Sequence, residues 1–443
     1  MLKLDDALDM LSSQPSTLSK VRHGLAQDRQ ATGPRPAHDT GINGQTPFAF
    51  EEFHPVIQDF QRVIEEDPIL YLGFHQMFDQ VPQEPFYDKD PNGDPQVCLS
   101  CSMYELALTS LKVRDYKTML ARLNRVIKQA PVWDDGDFVG FPINAMLEWP
   151  MGTAAGFQTL TNPKVNAQFK ALFDVWSSFL SSPESRYVLN THEDGWFGRR
   201  AFLAMPDFID TFVCDPDAPY YGFKSWDDFF VREFRPGRRP VLTLEDDAIV
   251  TSACESTIYC IASDVKERDH FWLKGQPYSL MHMMDNDEFV PQFVGGTVYQ
   301  AYLSATKYHR WNSPVTGTVV RHLNVSGSYY AECPLIGLDP LGQCGSQRFI
   351  TQTAARAIIY IQADNPDIGL MCFMGVGMAE CSTCEVTVKE GERVTKGDQL
   401  GMFHFGGSTY CLIFRPETKV NFLPTAEIGA AVLLNQAIAS VTH

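Results

Sequence analysis

Glu390–Arg415 reads EGERVTKGDQLGMFHFGGSTYCLIFR. Two apolar runs, Phe403–Phe405 and Thr409–Phe414, flank Gly406-Gly407-Ser408. Adjacent glycines inside a β-prone stretch give a backbone free to take unusual φ/ψ. Upstream, Gly391–Gly401 has the punctuation of a tight β-hairpin: an acidic turn, Val394, a Lys396-Gly397 turn and Leu400. A Gly-Gly-Ser of this kind ordinarily marks a bulge or turn. It also suits a chain that cuts itself. Ser408 Oγ can attack the Gly407 carbonyl to give an ester, and β-elimination then frees the upstream carboxylate. The dehydroalanine left behind hydrolyses to an N-terminal pyruvoyl group. Glycine on the acyl side removes the Cβ that would obstruct the attack, and local strain and oxyanion donors assist it.

Around this stretch the residues from about 240 onward are β-prone. Ile249–Ser252, Thr257–Ala262, Gly317–Val325, Ala357–Gln362 and Glu385–Val388 alternate with Gly, Pro, Asn and Asp. Before about residue 190 the apolar spacing is helical. Phe169, Leu172, Phe173, Trp176, Phe179 and Leu180 share one stripe behind the start signal Asn162-Pro163. Val56, Phe60, Val63 and Ile64 form another, as do Tyr116, Leu120, Leu123 and Ile127. Residues 25–47 are polar and rich in Gly and Pro, a linker behind a short N-terminal stretch. The expected class is α+β: a stretch and linker over 1–47, a helical domain over 48–200, and a mostly β domain over 217–443.

The chain has 443 residues, 36 Lys+Arg against 54 Asp+Glu, and a net charge of −18. That balance excludes nucleic acid as a partner, because phosphate neutralisation needs clustered cations. With 44% hydrophobic residues the chain can bury sizeable cores. Eleven cysteines are too sparse for a disulfide-stapled secreted module. No run approaches a membrane span, and MLKLDDALDML lacks the character of a signal or transit peptide. These features lead us to expect a cytoplasmic protein with no integral membrane association. The pairs Cys98/Cys101 and Cys381/Cys384 are read as buried thiols rather than a zinc site, and Asp285–Glu288 as solvated surface.

Four ordered segments resemble the phosphatidylserine decarboxylase family: YGFKSWDDFFVREFRPGRRP at 221–240, Lys274–Leu280, YHRWNSP at 308–314, and the GGST at 406–409. The resemblance covers about 217–435. With the soluble fungal branch of that family, which includes tryptophan decarboxylases, it reaches back to about residue 54. It implies a pyruvoyl-dependent decarboxylase with the cofactor made from Ser408. The ketone would take up an amino acid's α-amine and accept the electrons released as CO₂ leaves. His309 matches the family histidine that protonates the α-carbon.

Two positions depart from the family pattern. A second family histidine is Asn312 here, and a family Asp is Glu255. An amide cannot take a proton, although it can donate to the scissile carbonyl. Glu255, one methylene longer than Asp, is a candidate to reach Ser408 directly. His404 would help only if the chain folds back at the two glycines. Trp311 is read either as a pocket wall or as core.

The resemblance implies a small-molecule L-amino acid as substrate, aromatic and with tryptophan foremost, and two self-cleavage chains that stay together. The alternatives are a phosphatidylserine decarboxylase and an uncleaved pseudo-enzyme acting as a scaffold.

Overall fold

Trp311 lies between two β-layers and is fully buried. It fits there because both layers present a glycine to it. A Cβ on Gly375 would fall 3.0 Å from the Trp311 ring, and one on Gly401 would fall 2.7 Å from it. Trp311 is therefore core, and its ring sets the spacing of the layers.

The structure is a computed structural model that describes residues 52–82, 113–134, 141–269, 277–335, 338, 343, 345–380, 383–405 and 408–442. The expected N-terminal stretch and linker, Cys98, Cys101, Cys381, Gly406 and Gly407 lie outside the described residues.

The helices follow their stripes. α1 (Pro55–Glu66), α2 (Pro68–Asp79) and α3 (Tyr116–Val126) bury Phe60, Phe74 and Leu120 respectively. α4 (Asn144–Met151) is buried on every side, and α5 (Ala154–Leu160) follows it. α6 (Pro163–Leu180) starts where Asn162 accepts from the Lys164 N–H at 2.9 Å, with Pro163 in the first turn. It buries Phe169, Leu172, Phe173, Trp176 and Leu180. α7 (Trp226–Phe230) is a single turn capped by Ser225, whose hydroxyl accepts from the Asp228 N–H.

Fourteen strands are seen among the described residues: β1 (Ile249–Thr251), β2 (Ser256–Ala262), β3 (Thr297–Leu303), β4 (Arg310–Asn312), β5 (Gly317–Val325), β6 (Arg356–Ala363), β7 (Leu370–Gly377), β8 (Thr383–Val386), β9 (Arg393–Val394), β10 (Gln399–His404), β11 (Ser408–Phe414), β12 (Lys419–Phe422), β13 (Ala431–Val432) and β14 (Ala437–Thr442). The large sheet has the order β13-β2-β3-β11-β7-β6-β5-β9, and two small sheets have the orders β4-β10-β8 and β1-β14-β12. Every named pair is antiparallel.

Central strands β7 and β11 are buried along their whole length. Alternate residues serve two cores. Tyr410, Leu412 and Phe414 join the core that runs from Ile57 to Val441, whereas Cys411 and Ile413 join a smaller one. The helical and β-rich parts thus share one core within a compact unit, residues 53–443.

The expected hairpin at 391–401 is absent. β9 pairs with β5, while β10 pairs with β4 and β8. The turn between them is held by the strand it passes: Ser313 N–H donates to Asp398 O at 2.7 Å, and Gly397 N–H to Ser313 O at 2.8 Å. Within the acidic run, Asp287 is buried and pairs with Arg321 rather than facing water. Of the two Cys-x-x-Cys pairs only Cys384 is described, and it is half-buried.

Gly401→Ala is expected to destabilise the fold by about 1–3 kcal/mol or more, because its methyl would meet both Trp311 and the Glu385 carbonyl. A lower urea midpoint at unchanged m-value is the expected readout.

Candidate active site

Two connections leave the large sheet for the β4-β10-β8 sheet side by side. One runs from β3 through 304–308 to β4, and the other joins β10 to β11 through 405–407. Leu303 is paired with Ser408 at the large-sheet end. At the other end the Phe403 N–H donates to the His309 carbonyl at 2.9 Å. The same sheet edge carries Gly377, paired with Ser408 from the other side, and the start of β2 just after Glu255. Topology thus gathers Ser408, His309 and Glu255 from segments about 50–150 residues apart in sequence.

Ser408 is the first residue of β11 and fully buried, and its Oγ has no hydrogen-bond partner among the described residues. Gly377 opposite it contributes no side chain. Three residues upstream, Phe405 is buried with φ 65°, a left-handed conformation that a bulky residue rarely takes. Its ring lies between Trp176 of α6, at 6.3 Å and 25°, and Trp226 of α7, at 6.2 Å and 20°. Trp226 stacks on Phe230 at 5.2 Å, and Phe230 stacks on the His309 imidazole at 4.0 Å. A five-ring column therefore runs Trp176–Phe405–Trp226–Phe230–His309. It fixes the segment before Ser408 and the fully buried His309 against the same helical turn.

The other expected residues are committed elsewhere. Asn312 Nδ2 donates to the Gly397 carbonyl at 2.6 Å, bracing the 396–398 turn. Glu255 Oε1 accepts from Arg239 Nε at 2.5 Å. Neither side chain is hydrogen-bonded to Ser408 Oγ. A cavity of about 530 Å³ opens beside Glu255, lined by Asp207, Asp210, Arg238, Arg239 and Lys307 among others.

Residues 226–440 match the phosphatidylserine decarboxylase family, and residues 54–109 and 102–205 match a second profile of the same description. An L-tryptophan decarboxylase of Psilocybe cubensis is 37% identical over 408 residues, covering 87% of this chain and 86% of that protein. The chain belongs to the phosphatidylserine decarboxylase family. It is a decarboxylase. The decarboxylase iboD of Amanita muscaria is 44% identical over 320 residues, covering 68% of this chain and 91% of that protein. A phosphatidylserine decarboxylase proenzyme 2 of Oryza sativa is more distant, at 27% over 284 residues, or 63% of this chain and 40% of that protein. Among the described residues no helix is long and apolar enough to cross a membrane.

The sequence reading of this decarboxylase missed three contributors. Arg232 is buried, with a guanidinium whose pKa burial lowers to about 10. It donates to the Thr306 and Lys307 carbonyls at 2.6 and 3.0 Å, which pins the first crossover. Arg239 neutralises Glu255; both arginines lie within the 221–240 motif, so the motif was their available signal. Phe405 carries no such signal, since nothing in a lone Phe announces a left-handed backbone.

Both ring nitrogens of His404 are engaged by carboxylates. Its Nδ1 meets Asp227 at 2.9 Å and its Nε2 meets Glu385 at 2.9 Å, tying β10 to α7 and β8. Burial pulls its pKa down, but the two carboxylates outweigh this and raise it above the usual histidine value. A raised folded-state pKa stabilises fully below the unfolded value near 6.5 and loses its effect as pH rises through the folded value. His404→Gln should therefore lower the melting temperature most near pH 6, and the gap to the parent should close in the alkaline direction.

Proposed function

We propose that this decarboxylase is pyruvoyl-dependent, makes the group by cutting its own chain between Gly407 and Ser408, and acts on an aromatic L-amino acid, tryptophan first. The observation that carries the reading is Ser408: a buried hydroxyl without a partner among the described residues, heading a central strand three residues after a strained, ring-clamped Phe405. A structural serine in that position would ordinarily have its hydroxyl satisfied.

Attack of Ser408 Oγ on the Gly407 carbonyl converts the amide to an ester. Elimination across Cα–Cβ of Ser408 releases Gly407 as a carboxylate. Hydrolysis of the resulting enamine expels ammonia and leaves the ketone. Left-handed backbone at a bulky residue costs about 1–3 kcal/mol, strain that the cut can release. Once formed, the group supplies a carbonyl that takes up the substrate amine and accepts the electron pair left by CO₂. His309, which stacks on Phe230, is the residue we assign to return a proton to the α-carbon. Glu255 and Asn312, engaged by Arg239 and Gly397, shape the crossover rather than act as bases.

Two chains made in this way would stay associated. The small chain carries β11, which is hydrogen-bonded to β3 and β7 of the large chain, and β14, which is paired with β1. The preference for tryptophan is supported by the Psilocybe relatives, which bear that name at 37% and 39% identity. An acidic chain with no membrane-crossing helix among its described residues suits a small soluble substrate and a cytoplasmic enzyme.

Denaturing mass spectrometry should find residues 1–407 and a 36-residue chain (443 − 407) bearing pyruvoyl in place of serine. Ser408→Ala should remain a single uncut chain. An uncut parent would overturn this reading in favour of a scaffold, and release of CO₂ from phosphatidylserine but from no amino acid would favour the lipid substrate. His309→Gln should mature yet lose about 10²–10⁴ in kcat. Phe405→Gly, which takes a left-handed φ at no steric cost, should slow cleavage by about five- to 150-fold in a time course of band intensities.

A further inference from the structure

Glutamine is ordinarily a surface residue, yet Gln300 of β3 is fully buried in the middle of the large sheet. Its amide oxygen and both its N–H bonds are engaged. Oε1 accepts from the Tyr278 hydroxyl at 2.6 Å, and Nε2 donates to the Gln347 carbonyl and to Thr409 Oγ1, both at 3.1 Å. The Gln347 carbonyl can only accept, which fixes the way the amide points. Thr409 in turn donates its hydroxyl to the Ala301 carbonyl at 3.0 Å. Tyr278 and Thr409 are buried as well. A continuous set of hydrogen bonds therefore runs from Tyr278, in the 274–280 motif, to the residue next to Ser408. The chemistry above uses none of it.

This network lies on the opposite side of β11 from the reacting hydroxyl, because successive strand residues face opposite ways. Thr409 shares its face with Cys411 and Ile413 of the smaller core, whereas Ser408 shares one with Tyr410 and Leu412. Holding Thr409 thus fixes the strand while leaving Ser408 Oγ clear. Such a hold has most effect at a chain end. In the uncut chain β11 is secured by its ladders to β3 and β7 and by its covalent continuity with the ring-clamped Phe405. A cut ahead of Ser408 ends that continuity, and conversion to pyruvoyl removes the nitrogen of Ser408, so its N–H leaves the ladder. An end made in this way frays unless it is tied down. Thr409 is then the first residue with a backbone N–H, and the first whose side chain is bonded to the rest of the fold.

We infer that Thr409, held by Gln300 and through it by Tyr278, is a positioning residue that anchors the chain end created by self-cleavage and keeps the pyruvoyl group in place for substrate. This rests on the proposed reading, in which the cut falls between Gly407 and Ser408.

The experiment is hydrogen exchange of the full-length protein, cut and uncut, together with steady-state kinetics. Thr409→Val keeps the shape of the side chain and removes its hydroxyl. It should mature like the parent, because the uncut strand is held from both directions. In the cut form the first amides of β11 should exchange about 5–50-fold faster than in the parent, and kcat should fall by a similar factor with KM little changed. The same substitution placed in an uncut Ser408→Ala chain should leave those amides near the rates of Ser408→Ala alone. Thr409→Ser retains the hydroxyl and should behave as the parent does. Equal loss of protection in cut and uncut chains would overturn the inference and leave the network as core packing. Full activity of Thr409→Val would also overturn it, as would a folded Thr409→Val chain that is never cut. Should Thr409→Val fail to fold, Tyr278→Phe removes only the far hydroxyl and should give the same pattern with a smaller effect; unchanged protection in its cut form overturns the inference as well. A parent that stays whole sinks the underlying reading, and its mass reports that failure before any exchange is measured.

Discussion

The structure depends on two chain crossings made side by side between the same pair of sheets. A crossing breaks the ladder of both sheets, so its backbone must be secured by other means. Here aromatic rings and one arginine supply them. Arg232 holds the Thr306 and Lys307 carbonyls, and the stack from Trp176 to His309 grips Phe405 ahead of β11. The single turn α7 contributes two of the five rings in that stack. It also contributes Asp227 to His404, so one short segment sets the position of both crossings.

This arrangement explains why the helical region is inseparable from the β-rich one. Trp176 lies on a helix that would look, in isolation, like an ordinary amphipathic element with one buried face. Its ring is nonetheless the outer jaw on Phe405. A left-handed aromatic residue persists only when its surroundings over-determine it, and here tryptophans on two different helices do so. The glycine-lined slot for Trp311 plays the complementary part, setting the distance across which the crossings must reach.

Where local pattern decided the outcome, the sequence could be read closely. The α6 stripe begins at the Asn162-Pro163 signal and buries five of the six residues its spacing nominated, Phe179 being half-buried. Strand β5 runs over Gly317–Val325, the range its composition marks out. Where the choice of partner decided, the reading failed. Val394 and Leu400 flank a good turn, yet each side finds a longer-range strand and no hairpin forms. Motif wording located Ser408, His309, Glu255 and Asn312 in one neighbourhood, but it could not tell that Arg239 and Gly397 occupy two of their side chains.

The central position of β11 has a thermodynamic consequence. A continuous chain brings this strand between β3 and β7 by closing loops, whose entropic cost grows only slowly with length. A chain severed ahead of Ser408 must do so by capturing a separate fragment, so its reassembly depends on concentration and its unfolded state is freer. Cutting therefore acts as the inverse of a cross-link. A fold cut as proposed would persist through the height of its unfolding barrier more than through an equilibrium it could re-enter, and lifetime would be the apt measure of its stability.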